Sequence, residues 1–263
     1  MPEMTKYEPS TPCWPELSTT DLEAAKKFYS AVLGWKDYGV GPEDSGYYTM
    51  PERDGKPLAG MMTQMEGEKA MGVPPHWNTY VSVKSADDAA KNAASLGATV
   101  VVEPMDVMDV GRMAVFIDPE GAAISVWQPK AHQGAAIVNE SGAFIWSELY
   151  TKDPAKATAF YTGLFGWNTH VDDGPMKYTE LKVGDRSIGG MIEITAEMGP
   201  IPPNWLVYFA VDDTDTTIDA AKKAGGSAMM GPMDIPDVGR FAVLADDKGA
   251  VFAVIKTAGP PAS

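Results

Sequence analysis

Apolar side chains return every three or four residues through Leu22, Ala25, Phe28, Tyr29 and Val32. That spacing predicts a helix with one buried face, and Asp21 in front of it suits an N-cap. The run "WPELSTT" ahead of the helix has strand character. So do "GYYTM" and "PLAGMMTQ" behind Gly34, with "RDGK" as the turn between them. The same order restarts at Trp77: "WNTYVSV", an alanine-rich helical segment, Gly97, then "GRMAVFI" and "AAISVWQ" around the turn "DPEG". The predicted unit is strand, helix and three strands.

The pattern recurs on a larger scale. "WPELSTTDLEAAKKFYSAVLGW" from Trp14 and "WSELYTKDPAKATAFYTGLFGW" from Trp146 agree at ten of 22 positions at a shift of 132. Chance would give roughly one or two, so the chain is internally duplicated. "PMDVMDVGR" (Pro104 to Arg112) and "PMDIPDVGR" (Pro232 to Arg240) match at a shift of 128. The four-residue difference between 132 and 128 belongs in loops, where length changes cost least. The expected organisation is a first domain at 10–130, a linker at 131–141 and a second domain at 142–257, each of two units. The fold class is α+β. A single unit leaves one sheet face uncovered. Two units together curl their sheets around a cleft, with helices on the outer face.

The run "DLEAAKKFYSAVLGW", the later "DPEGAAISVW" and the βαβββ order resemble the vicinal oxygen chelate superfamily. That group holds glyoxalases, extradiol dioxygenases and bleomycin resistance proteins, and its fold hosts metal enzymes and plain binders alike. The resemblance implies four inward metal-ligand positions per domain. They fall at Trp14 and Trp146, near Thr63 and Glu193, near Asn78 and Leu206, and at Ser125 and Ala253. Of these eight, only Glu193 is a strong ligand, and Trp, Leu and Ala offer no lone pair. The three histidines, His76, His132 and His170, form no ligand-like pair. No metal site and no cofactor are expected.

Strand alternation puts Trp14, Glu16 and Ser18 on one face, and Trp146, Glu148 and Tyr150 on its counterpart. If that face lines the cleft, it suits a flat hydrophobic small molecule. Met62, Asn78, Arg112, Ser125, Glu193 and Arg240 complete the expected lining. The same tryptophans and the methionines Met61, Met62, Met105, Met108, Met191 and Met233 could equally fill cores. Glu16 and Glu148 are the candidate acid/base groups, or else partners of Arg112 and Arg240 in ion pairs. The two "PMD…VGR" segments, carrying Asp106 and Asp234, read either as loops over the cleft mouth or as rigid connections. Two functions follow as expectations: metal-independent binding of a small aromatic or hydrophobic metabolite, or a lyase, isomerase or hydroxylase using Glu16 and Glu148.

Charge and composition narrow the classes further. A formal net charge of -15, from 36 acids and 21 bases, disfavours nucleic-acid partners. No apolar run approaches the roughly 18 residues of a membrane span, and no signal-like leader opens the chain. The single cysteine, Cys13, is read as inert, and a reducing, cytoplasmic setting is the expectation. The duplication mimics a dimer within one chain, so a monomer suffices.

Overall fold

The computed structural model describes residues 3–42, 48–172 and 177–259. The first half runs β1 (Pro12–Thr19), α1 (Leu22–Leu33), β2 (Asp37–Val40), β3 (Thr49–Arg53), β4 (Lys56–Pro57) and β5 (Gly60–Thr63). A short helix α2 (Glu66–Ala70) leads to β6 (His76–Ser82), α3 (Ala86–Ser95), β7 (Thr99–Val107), β8 (Gly111–Ile117) and β9 (Ala123–Pro129). The second half repeats the order without α2 and without a separate β4: β10 (Phe144–Thr151), α4 (Pro154–Phe165), β11 (Asn168–Asp172), β12 (Tyr178–Val183) and β13 (Arg186–Glu193). A 3₁₀ turn at Ala196–Met198 precedes β14 (Asn204–Ala210), α5 (Thr214–Lys223), β15 (Ser227–Ile235), β16 (Gly239–Ala245) and β17 (Val251–Thr257). The α+β, four-unit reading therefore holds.

Each half forms one sheet. Its order is β2-β3-β5-β1-β6-β9-β8-β7 in the first and β11-β12-β13-β10-β14-β17-β16-β15 in the second. At the centre the opening strands of the two units run antiparallel, with Trp14 opposite Tyr80 and Trp146 opposite Tyr208. Each opening strand also pairs in parallel with its own unit's last strand, as β1 does with β5. The "PMDVMDVGR" segment is not an irregular loop, and its Val107 and Val110 pack against the cluster of Trp14, Tyr80 and Trp127. It is the tip of the β7–β8 hairpin, with Asp106 opposite Arg112, and Asp234 faces Arg240 likewise between β15 and β16.

The helices start where short polar side chains satisfy free backbone N–H groups. Asp21 accepts from Ala24, Asp153 from Ala155 and Lys156, Ser85 from Asp88, and Asp213 from Thr216. Both α1 and α4 end on a glycine in the left-handed region, Gly34 at φ 73° and Gly166 at φ 69°.

The helix-bearing faces of the two sheets are pressed against each other, so the halves share their cores. Phe28, Tyr29 and Trp35 from α1 and its end pack with Phe209, Ile218, Leu244 and Phe252 of the second half. Reciprocally, Phe160, Tyr161 and Trp167 pack with Ala93, Phe116, Ile124 and Val126 of the first. Two polar relays cross this interface in matching fashion. Trp77 Nε1 donates to Tyr29 Oη (2.9 Å), which donates to Asp246 (3.1 Å). Trp205 Nε1 donates to Tyr161 Oη (2.8 Å), which donates to Asp118 (2.9 Å). Much of the repeated 22-residue stretch is thereby explained: its Phe-Tyr pair and closing Trp are interface residues.

Candidate functional site

The opposite face of each sheet, the cup face, carries a separate aromatic cluster. Alternation along β1 sends Leu17 to the helix side and Trp14, Glu16 and Ser18 to the cup. Glu16 is buried at 7% exposure, yet joins no ion pair among the described residues. Two phenols hold it instead: Tyr48 Oη donates to one carboxyl oxygen (2.6 Å) and Tyr80 Oη to the other (2.8 Å). Trp14 Nε1 in turn donates to Tyr48 Oη (2.9 Å). The second cup repeats the device. Trp146 Nε1 donates to Tyr178 Oη (3.0 Å) and Tyr208 Oη donates to Glu148 (2.7 Å), with the Tyr178 and Tyr150 hydroxyls adding electrostatic support to the carboxylate. Burial drives both carboxyls above the usual range, opposed by the tyrosine hydrogen bonds.

Glycine makes this geometry possible. Gly60 lies opposite Glu16, and Gly190 opposite Glu148. A Cβ on either would overlap the hydroxyl of Tyr48 or Tyr178. The bare backbone of "AGMM" and "GGMI" is the floor on which each tyrosine rests.

Of the other expected site residues, Asn78 sits opposite Glu16, Ser125 beside Tyr80 and Met62 beside Ser18, all on the cup face. Three expectations need correction. Glu193 shares its strand face with Met191, two residues earlier, which lies in the helix-side core, so it points away from the cup. Thr63 does the same with respect to Met61, and both methionines are core residues. Arg112 and Arg240 also lie on the helix side. Arg112 is bidentate on Asp87 of α3 (2.8 and 3.0 Å) and Arg240 on Asp215 of α5 (2.7 and 3.0 Å), so neither pairs with a cup glutamate. Their reach is set by β8 and β16, where Ala114 and Phe116, or Ala242 and Leu244, occupy the same face. Met105, Met108 and Met233 are exposed at the hairpins.

The tyrosines were missed by sequence reasoning. They recur as Tyr48 and Tyr178, and as Tyr80 and Tyr208, which is the signal that could have found them.

Residues 131–141, expected as a linker, are bonded into the first cup. Ala135 N donates to Cys13 O and Tyr7 Oη to Ala135 O. The His132 ring meets Trp14 edge-on at 4.5 Å and Trp127 at 5.8 Å, while Trp127 Nε1 donates to His132 O. Trp14 is 5% exposed as a result, whereas Trp146 is only half-buried. Cys13 is fully buried with its thiol pushed well up by burial, in keeping with an inert role. Burial lowers the His132 pKa to about 4. A neutral histidine favoured by folding gives stability that is full above pH ~6.5 and lost as pH falls towards 4. We expect His132→Phe to remove that part of the pH dependence. Denaturant midpoints of both proteins between pH 4 and 7 check it, and parallel curves would contradict it.

The metal chemistry found in this fold can be tested on the donors. Around Glu16 the four central strands present Trp14, Gly60, Asn78, Tyr80 and Ser125, and both oxygens of the one carboxylate accept from phenols. Among the described residues no three of His, Cys, Asp or Glu cluster as an ion requires. This set does not fit a divalent ion. Nor is any described helix long and apolar enough to cross a membrane.

Known proteins share this architecture. The manganese-bound glyoxalase of Novosphingobium aromaticivorans superposes with a TM-score of 0.64 at 16% identity, covering 94% of this chain and 82% of that one. The 2,3-dioxygenase LapB of Pseudomonas sp. KL28 superposes with 0.63 at 16% identity, covering 97% and 96%. At the sequence level the chain is 42% identical to the Mycobacterium tuberculosis protein named "Putative glyoxylase CFP32", over 98% of this chain and 99% of that one. It is 34% identical to the anthracycline biosynthesis protein DauV of Streptomyces sp. strain C5, over 96% and 95%. The family profile described as Glyoxalase/Bleomycin resistance protein/Dioxygenase superfamily matches twice, at 14–126 and 143–254. Two cups of the same build, each spanned by one of those matches, make this chain a tandem member of the glyoxalase/bleomycin resistance protein/dioxygenase superfamily.

Proposed function

We propose that the protein binds a small, flat, hydrophobic molecule in its cups without a metal, and so sequesters it or handles it as a biosynthetic intermediate. One observation carries this reading: where an ion would need open ligands, a buried glutamate is closed off by two tyrosine hydroxyls. Aromatic walls around one polar anchor suit a ring system that presents a hydroxyl to that anchor. The similarity to a protein named for anthracycline biosynthesis supports a polycyclic aromatic as the ligand class.

A second reading rests on the upward-shifted carboxyls: Glu16 or Glu148 would act as general acid or base on the bound molecule. Binding of 1,8-dihydroxyanthraquinone, followed by tryptophan quenching before and after chelator treatment, tests the first. Equal affinity in both states is expected. Affinity that depends on a tightly held transition metal would overturn it. Glu16→Gln and Glu148→Gln separate the two readings. A binder changes affinity by less than about tenfold, whereas an acid/base catalyst loses about 100-fold or more in turnover while still binding.

A further inference from the structure

The two cups differ most at the end where β1 and β5, or β10 and β13, stop. In the first cup α2 brings Glu68 there. Ser18 Oγ donates to it (3.0 Å), and His76 Nε2 lies 3.8 Å from its other oxygen. In the second cup Tyr150 replaces Ser18, Asn204 replaces His76, and the stretch from Ile194 to Pro202 replaces α2. Ile194, Met198 and Ile201 of that stretch pack onto the cluster containing Tyr150. Its one carboxylate, Glu197, accepts from Thr195. Beside it stands Lys152, in the position that Thr20 holds in the first half.

Lys152 is exposed and, among the described residues, joins no ion pair, although acids outnumber bases by 36 to 21. It borders a depression of about 490 Å³ whose other walls include Ile194, Pro200, Ile201 and Pro202. An unpaired cation facing an apolar wall in so acidic a chain is matched by an anion with an apolar body.

We propose that the depression at this end of the second half binds a planar hydrophobic acid, its rings lying against Ile194, Pro200 and Ile201 and its anionic group held by Lys152. This rests on the small-molecule reading above and adds the charge and the half of the chain. The first cup, with Glu68 at the equivalent end, rejects such a ligand by like-charge repulsion.

Two fluorescent probes that differ by one sulfonate test it on the full chain: 8-anilinonaphthalene-1-sulfonate and the uncharged N-phenyl-1-naphthylamine. The expected result is one saturable site per chain that prefers the sulfonate by about fivefold at low salt, the upper end for a partly solvated ion pair. Lys152→Gln should abolish that preference and leave the uncharged probe bound as before. Ile201→Asp should weaken both. Equal affinity for the two probes, a preference that survives Lys152→Gln, or indifference to Ile201→Asp would each overturn the proposal while leaving small-molecule binding standing. Failure of both probes to bind would remove the broader reading and this one together.

Discussion

Gly60→Ala is expected to destabilise the protein by about 3 kcal/mol, the upper range for overpacking a filled site, and to abolish ligand binding in the first cup. The added methyl would overlap the Tyr48 hydroxyl and come within 2.8 Å of Trp14 Nε1. Neither neighbour can yield cheaply. Tyr48 is tied to Glu16 at 2.6 Å, and Trp14 is wedged under His132. Displacing the tyrosine also leaves a buried carboxyl with one hydrogen bond in place of two, an added cost. Gly190→Ala should do the same to Tyr178 and Glu148 in the second cup. Guanidinium unfolding of each variant measures the loss. A double substitution with Tyr48→Ala, less destabilising than the two single effects summed, would locate it at this contact. A Gly60→Ala protein unfolding at the wild-type midpoint would show that the tyrosine is not seated where the cup needs it.

The duplication carried most of the fold into view. A 22-residue match at one shift, with Asp as helix cap and Gly as helix end in both copies, implies two like domains, and the sheets repeat accordingly. Period-two alternation likewise placed Glu16 beside Trp14 on one face. What alternation cannot supply is register. Glu193 fell one position out of phase on β13, and in a strand one position reverses the face. The arginines were mistaken for cup residues for the same reason, since β8 turns Arg112 towards α3 while Met113 faces the cup. The tyrosine clamp was out of reach for another reason. Tyr48 and Tyr80 lie 32 and 64 residues from Glu16, and only cross-strand pairing brings the three together. Nor could the sequence tell that Tyr29 and Tyr161 serve the opposite half, because an amphipathic helix does not reveal which surface covers its apolar stripe.

That exchange between halves sets the second large effect. Asp118→Ala should cost about 4 kcal/mol, with the corresponding loss at Asp246. Asp118 is 4% exposed. One of its oxygens accepts from the backbone N–H groups of Glu120, Gly121 and Ala122 (2.9, 2.7 and 2.9 Å), and the other accepts from Tyr161 across the interface. Removing it strands those donors and the phenol in a buried place, and hydrogen bonds to a charged acceptor are worth about 1.5–3 kcal/mol each before any compensation by water. Asn keeps an acceptor oxygen for the turn, so Asp118→Asn should recover a large share. Tyr161→Phe, which breaks the link between halves and also leaves the Trp205 indole N–H without its acceptor, should cost about 2–3 kcal/mol. The informative readout is the shape of the thermal transition. Because each core is built from both halves, wild type should melt in one step, and the Asp118→Ala, Asp246→Ala double variant should melt in two as the sheets come apart. A double variant that still melts in a single step near the wild-type temperature would mean that apolar packing alone joins the halves and the relays are incidental.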